Sequence, residues 1–381
     1  TLGGDVYVTG PYKGAPFGLL AVTHAQAGPF NLGDVNVRST INVNETTAAV
    51  TVTSDPLPEF VKGIPSQIKT LNVTVDRPSF EFNPTNCNPS SVTGTLTGYE
   101  GGAENVSTPF QVVDCATLPF KPTINVSIES NVSRSTGTGL EIDVHSSKGQ
   151  ANIGKTKLEF PTTVPSRLTT LQKSCRDTVF DVNPANCSPE SIVGTAVAHT
   201  PVLKEPLTGP IYLVSHGNAA FPDAEIILQG ENGIKLLLDG TTDIEKGITI
   251  SSFEAVPDAP VESFDVSLPR GTKSAFSGYG DLCTENPVMP TKFTGQNGAV
   301  LEQKTKINVT GCAGVKAFHA ESELTKNLKK CAKLSNAGKR AKCVASAHRR
   351  ANAVASCNRY SKKSKRSACA TTARRKNALK L

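Results

Sequence analysis

Ser215-His216-Gly217 sets a hydroxyl beside an imidazole, the pairing that activates an oxygen nucleophile when the two groups share a hydrogen bond. Neighbours on a strand point to opposite faces, so this pair cannot share that bond easily. The other histidines, His24, His145, His199, His319 and His348, are scattered, with no HExxH, no GxSxG and no phosphate-cradling glycine loop. Asp239-Gly-Thr-Thr-Asp243 with Glu245 gathers carboxylates as a calcium loop would. It lacks the alternating Asp/Asn ligands of such a loop, and Asp-Gly is a common hairpin turn. The absence of Trp and the presence of only six Tyr leave little flat aromatic surface for a sugar-binding platform. No catalytic, cofactor-binding or metal-binding residue is assigned, and the reading is that of a protein that is not an enzyme.

Cysteine is the reactive side chain used most systematically. Ten cysteines accompany a single Met, which points to an oxidising compartment. Cys87 and Cys115 stand 28 apart, and Cys283 and Cys312 stand 29 apart in an equivalent stretch. Cys187 repeats Cys87 at a distance of 100, but the residue 100 after Cys115 is Ser215, and Cys175 appears where the earlier copy has Val75. One partner vanishes and another arises within reach. The expected pairs are Cys87–Cys115, Cys175–Cys187, Cys283–Cys312, Cys331–Cys343 and Cys357–Cys369. Zinc fits the last four poorly, because C-x11-C-x13-C-x11-C lacks the close ligand pairs of structural zinc sites.

Charge divides the chain. Residues 316–381 hold 19 Lys plus Arg against Glu321 and Glu323, a net of +17, while residues 1–315 hold 40 − 19 = 21 basic and 33 − 2 = 31 acidic residues, a net of −10. The tail repeats with a period of 26, placing Ser335 on Ser361 and Lys339-Arg340 on Lys365-Arg366. Leu324, Leu328 and Cys331, then Cys343, Ala347, Ala351, Val354 and Cys357, recur at helical spacing. Two helical hairpins follow, turning at 335–338 and 361–364, with an Ala-rich core too small to hold without its disulfides. The excess of cations exceeds what solubility requires and marks a polyanion-binding surface of Lys339, Arg340, Lys342, Arg349, Arg350, Lys362, Lys363, Lys365, Arg366, Arg374, Arg375 and Lys376. Teichoic or teichuronic acid, acidic polysaccharide and the acidic body of a neighbouring copy satisfy the electrostatics. Only Phe318 and Tyr360 offer stacking surface there, which argues against nucleic acid.

The elements that carry these groups are repeats. Residues 64–96 match residues 164–196 without a gap, keeping Pro-Ser, Thr-Leu, Asn-Pro, Asn-Cys and Gly-Thr in register. Residues 1–8 match 206–213 with Leu2/Leu207, Gly4/Gly209 and Tyr7/Tyr212 in step; residues 64–77 match 256–270, and 97–115 match 294–312. Residues 1–117 and 207–313 therefore read as two copies of one β domain, 118–206 as a related second type, and 314–381 as the basic helical tail. Because 206–213 follows the Cys187 region directly, residues 1–8 are expected to follow a similar region, as if the chain began inside a longer parent.

Short alternating runs such as Asp34–Arg38, Thr47–Thr53, Ile124–Ile128 and Gly247–Ser251, bounded by Gly and Pro, predict strands with one wet face. The fold class expected is mainly β: tandem antiparallel immunoglobulin-like sandwiches followed by a small disulfide-stapled α-helical tail. No stretch is apolar and long enough to span a bilayer; the longest runs from Phe17 to Val22. Sequons occur at Asn44, Asn72, Asn105, Asn125, Asn131 and Asn308, a pattern that Val/Ser/Thr-rich strands also generate by chance.

The runs Thr9–Gly18, Thr51–Pro58, Val73–Pro78, Pro165–Cys175, Tyr212–Gly217 and Phe221–Asp223 resemble those of large secreted β-repeat proteins of soil actinobacteria, across essentially all of residues 1–313. The resemblance implies secretion and repetition and supplies no activity or site. The resulting expectation is a secreted or cell-surface structural protein, anchored or assembled through its cationic helices on a cell-wall polyanion or on neighbouring copies of itself, as an oligomer or filament and without membrane insertion. The alternative is an adhesin or binding module using sandwich-end loops for a matrix or polysaccharide ligand.

Overall fold

The computed structural model describes residues 2–78, 80–130, 136–217, 219–312, 320–359 and 363–377. The chain divides into two compact units, Thr1–Thr310 and Gly311–Leu381.

In the first unit, β1 (Gly4–Thr9), β2 (Phe17–Ala27), β3 (Phe30–Val43) and β4 (Val50–Ser54) form an antiparallel meander. Two separate hairpins follow, β5 (Phe60–Val61) with β6 (Ile64–Pro65), and β7 (Ser90–Thr97) with β8 (Ala103–Phe110). Residues 67–75, between the hairpins, form no strand.

The remaining strands make one closed sheet. They are β9 (Thr123–Glu129), β10 (Leu140–His145), β11 (Ile153–Phe160), β12 (Cys175–Arg176), β13 (Ile192–His199), β14 (Leu207–Ser215), β15 (Asp223–Gln229), β16 (Lys235–Glu245), β17 (Ile248–Phe253), β18 (Ser263–Leu268), β19 (Val288–Gly295) and β20 (Val300–Thr310). Their order is β14-β13-β18-β10-β9-β20-β19-β11-β17-β16-β15, and β15 pairs back onto β14, so eleven strands close a barrel with the short β12 added alongside β14. Every pairing around the ring is antiparallel except β9 with β20.

Tandem immunoglobulin-like sandwiches are therefore not what this sequence builds. Residues 118–206 and 207–313 do not form a sandwich each: β18 lies between β13 and β10, and β11 lies between β19 and β17. The period-two pattern that indicated sandwiches is equally the pattern of a barrel wall, since in both one side of each strand is buried and the other is not. Closure also removes the exposed edges that an open sheet would present.

Two apolar clusters lie on opposite faces of the same strands. Ile211 and Leu213 of β14 with Ile226 and Leu228 of β15 join the main core, which also holds Ile128, Leu140, Met289, Phe293 and Ile307. Tyr212, Val214 and Ile227 point the other way and pack under Phe180 and the Cys175–Cys187 disulfide. The segment bearing α1 (Leu168–Leu171) and α2 (Asp177–Phe180) supplies that cover. Arg167, buried just ahead of α1, donates to the carbonyls of Gly271 and Ser274 at 2.9 and 3.2 Å, so its charge is met by backbone acceptors.

Asp239-Gly240 is not a turn. β16 runs through it, pairing with β15 up to Asp239 and with β17 from Gly240 onward. A Cβ at Gly240 would meet the carbonyl oxygen of Ala224 and the Phe253 ring, so glycine permits the close approach where the strand changes partner. The turn lies at Lys246-Gly247, both at positive φ, as a two-residue hairpin loop requires.

The second unit is helical: α4 (Ala320–Cys331), α5 (Ala337–Ala355) and α6 (Lys363–Lys376), preceded in the first unit by the single turn α3 (Leu282–Glu285). Asn336 caps α5 by accepting from the Lys339 amide at 3.0 Å. Cys331, Cys343, Ala347, Ala351, Val354, Cys357 and Ala370 are buried, with Leu324, Leu328, Leu334 and Val344 around the first of them.

Candidate functional sites

Disulfides position the cationic surface. Cys331–Cys343 ties α4 to α5, and Cys357–Cys369 ties the turn that follows α5 to α6, with Cα separations of 5.5 and 5.7 Å. Apart from them the fully buried apolar side chains are Ala and Val, with Leu324, Leu328, Leu334 and Val344 packed around the first disulfide, and the small side chains let the helices approach closely. Lys339, Arg340, Lys342, Arg349, Lys365, Arg375 and Lys376 are exposed; Arg350, Arg366 and Arg374 are half-buried. Arg340 also donates through Nε and Nη2 to the Leu334 carbonyl at 3.0 and 2.8 Å, closing the end of α4 while its charge stays at the surface. Lys363 starts α6. Lys362 lies outside the described residues, as do Asn131, Phe318, His319 and Tyr360.

Cys87 bonds Cys115 and Cys175 bonds Cys187 within the first unit; Cys283 and Cys312 are also disulfide-bonded, and no described cysteine is free. Among the described residues no three His, Cys, Asp or Glu side chains are arranged to hold a metal ion. No helix among them is long and apolar enough to cross a membrane.

Ser215 and His216 do not form a catalytic pair. Ser215 ends β14 exposed, and among the described residues no hydrogen bond joins the two. His216 instead turns its Nε2 toward Glu225 Oε1 at 3.3 Å, with Asp223 Oδ2 at 4.0 Å. Glu225 faces Asp239 and Tyr212 across the two neighbouring strands. Its side chain is almost wholly buried, and burial, then the neighbouring Asp239 carboxyl, pushes its pKa up to about 9. Its Oε2 is buried and lacks a well-formed hydrogen bond. Burial also raises Asp223, whereas Asp177 is lowered because it accepts from the amides of Gly217 and Thr178 at 3.1 and 2.6 Å. This group can hold a proton.

Glu225 carried no signal in the sequence, since two acidic residues at alternate positions in Asp223-Ala-Glu-Ile-Ile-Leu228 read as the wet side of a strand. Its burial follows from the α2 segment lying over that side.

A further polar centre links residues 1–117 to the barrel. Asp258 accepts from the amides of Thr85 and Asn86 at 2.7 and 3.0 Å, from Thr85 Oγ1 at 2.8 Å, and from the Nδ2 groups of Asn86 and Asn152 at 2.7 and 2.8 Å. Asn297 donates to the carbonyls of Cys115 and Leu118, and Lys235 pairs with Glu45 at 2.8 Å. The first copy of the repeated element, Asn83-Pro-Thr-Asn-Cys87, thus serves as a docking loop.

Comparison with protein-family models, with curated proteins and with solved structures finds no match.

Proposed function

We propose that this is an extracellular structural repeat protein, held at a cell envelope or in a surface assembly by its cationic helical unit. The observation that carries the reading is the construction of that unit: two disulfides and small side chains inside, with ten of the twelve cationic residues singled out from the sequence standing exposed or half-exposed outside. A cationic surface on a covalently stapled frame keeps its charges spaced without a large core, and such a surface attracts polyanions through their summed field. The five-disulfide chemistry supports an oxidising, secreted setting. The alternative, an adhesin or binding module, loses the sandwich-end loops on which it was to hold its ligand, because the strands close a barrel instead.

Retention on isolated Gram-positive cell walls tests this. The full chain should bind and should be released by about 0.5 M sodium chloride, where screening acts within about 4–5 Å. A chain lacking residues 316–381 should not bind. Retention of that shortened chain would place the anchor in the β unit and overturn the proposal.

A further inference from the structure

Residues 1–117 carry the strands of the barrel's second half in the same chain order. β1, β2, β3 and β4 correspond to β14, β15, β16 and β17; residues 67–75 correspond to β18; β7 and β8 correspond to β19 and β20. Registers agree: Tyr7 pairs with Leu20 as Tyr212 pairs with Glu225, each 205 positions on, and Thr97 pairs with Ala103 as Thr294 pairs with Val300, each 197 positions on. A cysteine precedes and another follows both hairpins, Cys87 and Cys115 in one copy and Cys283 and Cys312 in the other. That sets this correspondence above the match of 64–96 to 164–196, where Ser215 replaces the second cysteine.

In the closed copy these seven strands do not form a continuous sheet. β14 to β17 are contiguous and β19 pairs with β20, but β11 fills the gap between β17 and β19, β9 with β10 fills the gap between β20 and β18, and β13 fills the gap between β18 and β14. All four inserted strands come from residues 118–206. The copy in 1–117 is interrupted at the same three places: β1 to β4 hold together, β7 pairs with β8, and 67–75 is unpaired. Its inward residues are correspondingly bare. Val8 is 57% exposed where Leu213 is 5%, Leu96 is 63% where Phe293 is 0%, and Phe110 is 41% where Ile307 is 1%.

We infer that residues 1–117 are an acceptor for a β-rich partner polypeptide of the 118–206 type, which completes a second barrel by threading four strands into those three gaps. Main-chain pairing at strand edges supplies the affinity of such β-augmentation, and alternate apolar side chains supply its specificity. A second copy of this chain is a poor occupant, because its own 118–206 strands already close its 207–313 half. Each copy has two acceptor segments, 1–117 and 207–313, and one donor segment, so exchange among copies always leaves one acceptor uncovered.

The test is hydrogen exchange on the full chain mixed with an isotopically labelled polypeptide of residues 118–206 as the probe. Amides in 67–75 and 90–110 should slow by at least about tenfold as pairing closes them, with one probe bound per chain by native mass spectrometry. A probe carrying Val126→Lys and Ile128→Lys, whose side chains face the core of the closed copy, should leave exchange unchanged. Leu96→Lys in the full chain should abolish the slowing while the barrel's own amides stay protected, since Leu96 is bare in the unbound chain. Unchanged exchange at saturating probe overturns the inference, as does equal slowing by the Lys-bearing probe. Protection of 90–110 that grows with concentration of the chain alone would also overturn it, by showing a second copy in that place.

Discussion

Asp258 takes both hydrogens that Thr85 offers, from the amide at 2.7 Å and from the hydroxyl at 2.8 Å, across 173 residues of chain. Two further donors from Asn86 and one from Asn152 leave this carboxylate fully engaged. Hydrogen bonds to a charged group contribute about 1.5–3 kcal/mol when their loss leaves partners unpaired. Asp258→Ala should weaken the docking of the 83–87 loop by about that much and speed proteolysis within 66–118, with the barrel's melting temperature little changed. Unaltered cleavage would show that the Asn297 contacts to Cys115 and Leu118 hold the segment without it.

Glu225 makes stability fall with rising pH. Its folded pKa of about 9 lies above the ordinary carboxylate value, so the folded state binds a proton that the unfolded state releases. The contribution is complete below the unfolded value near 4.5 and is lost as pH climbs through about 9. Each pKa unit corresponds to about 1.4 kcal/mol. The carboxyls of Asp239, Asp223 and Asp181 face the same group and add to the rise, and His216 lies against it at 3.3 Å. Glu225→Gln should therefore raise the melting temperature at pH 8 and flatten its decline between pH 5 and 9. An unchanged slope would assign the pH dependence to other groups.

Gly209 and Gly4 hold one place in two copies of one strand pair. A Cβ on Gly209 would run into the Ile227 carbonyl oxygen, and one on Gly4 into that of Val22. Backbone obstructs both, so relief requires the strands to move apart. Gly209→Ala should destabilise the barrel by about 1–3 kcal/mol, read by denaturant unfolding. Gly4→Ala should disturb only β1 and β2, detectable as faster exchange there. Equal stability of Gly209→Ala and the parent would refute the steric account.

The helical unit should depend on its disulfides more than the β unit does. Cys331–Cys343 and Cys357–Cys369 each span 12 residues, a loop for which cross-linking contributes about 3 kcal/mol. Replacing all four cysteines by Ser should abolish most of the 222 nm circular dichroism while the β signal persists. Full retention of helix would mean that packing of Ala347, Ala351 and Val354 suffices.

Much of this protein was determined by local chemistry and was legible in the residues alone. Alternation at Ile124–Ile128 and Gly247–Ser251 marked strands that exist as β9 and β17. The appearance of Cys175 where Ser215 has replaced a partner marked a bonded pair. The division between an acidic body and a basic tail coincides with the two compact units, because composition needs no long-range information. Tertiary structure alone decided closure. An apolar residue on every second position says that one face is buried, and it does not say whether a second sheet or the far wall of the same sheet buries it. The non-sequential order that places β18 between β13 and β10 is set by which faces and edges fit together when all eleven strands are present. Glu225 shows the same limit at the scale of one side chain. Only the α2 segment lying over β14 and β15 turned an ordinary strand carboxylate into a buried acid.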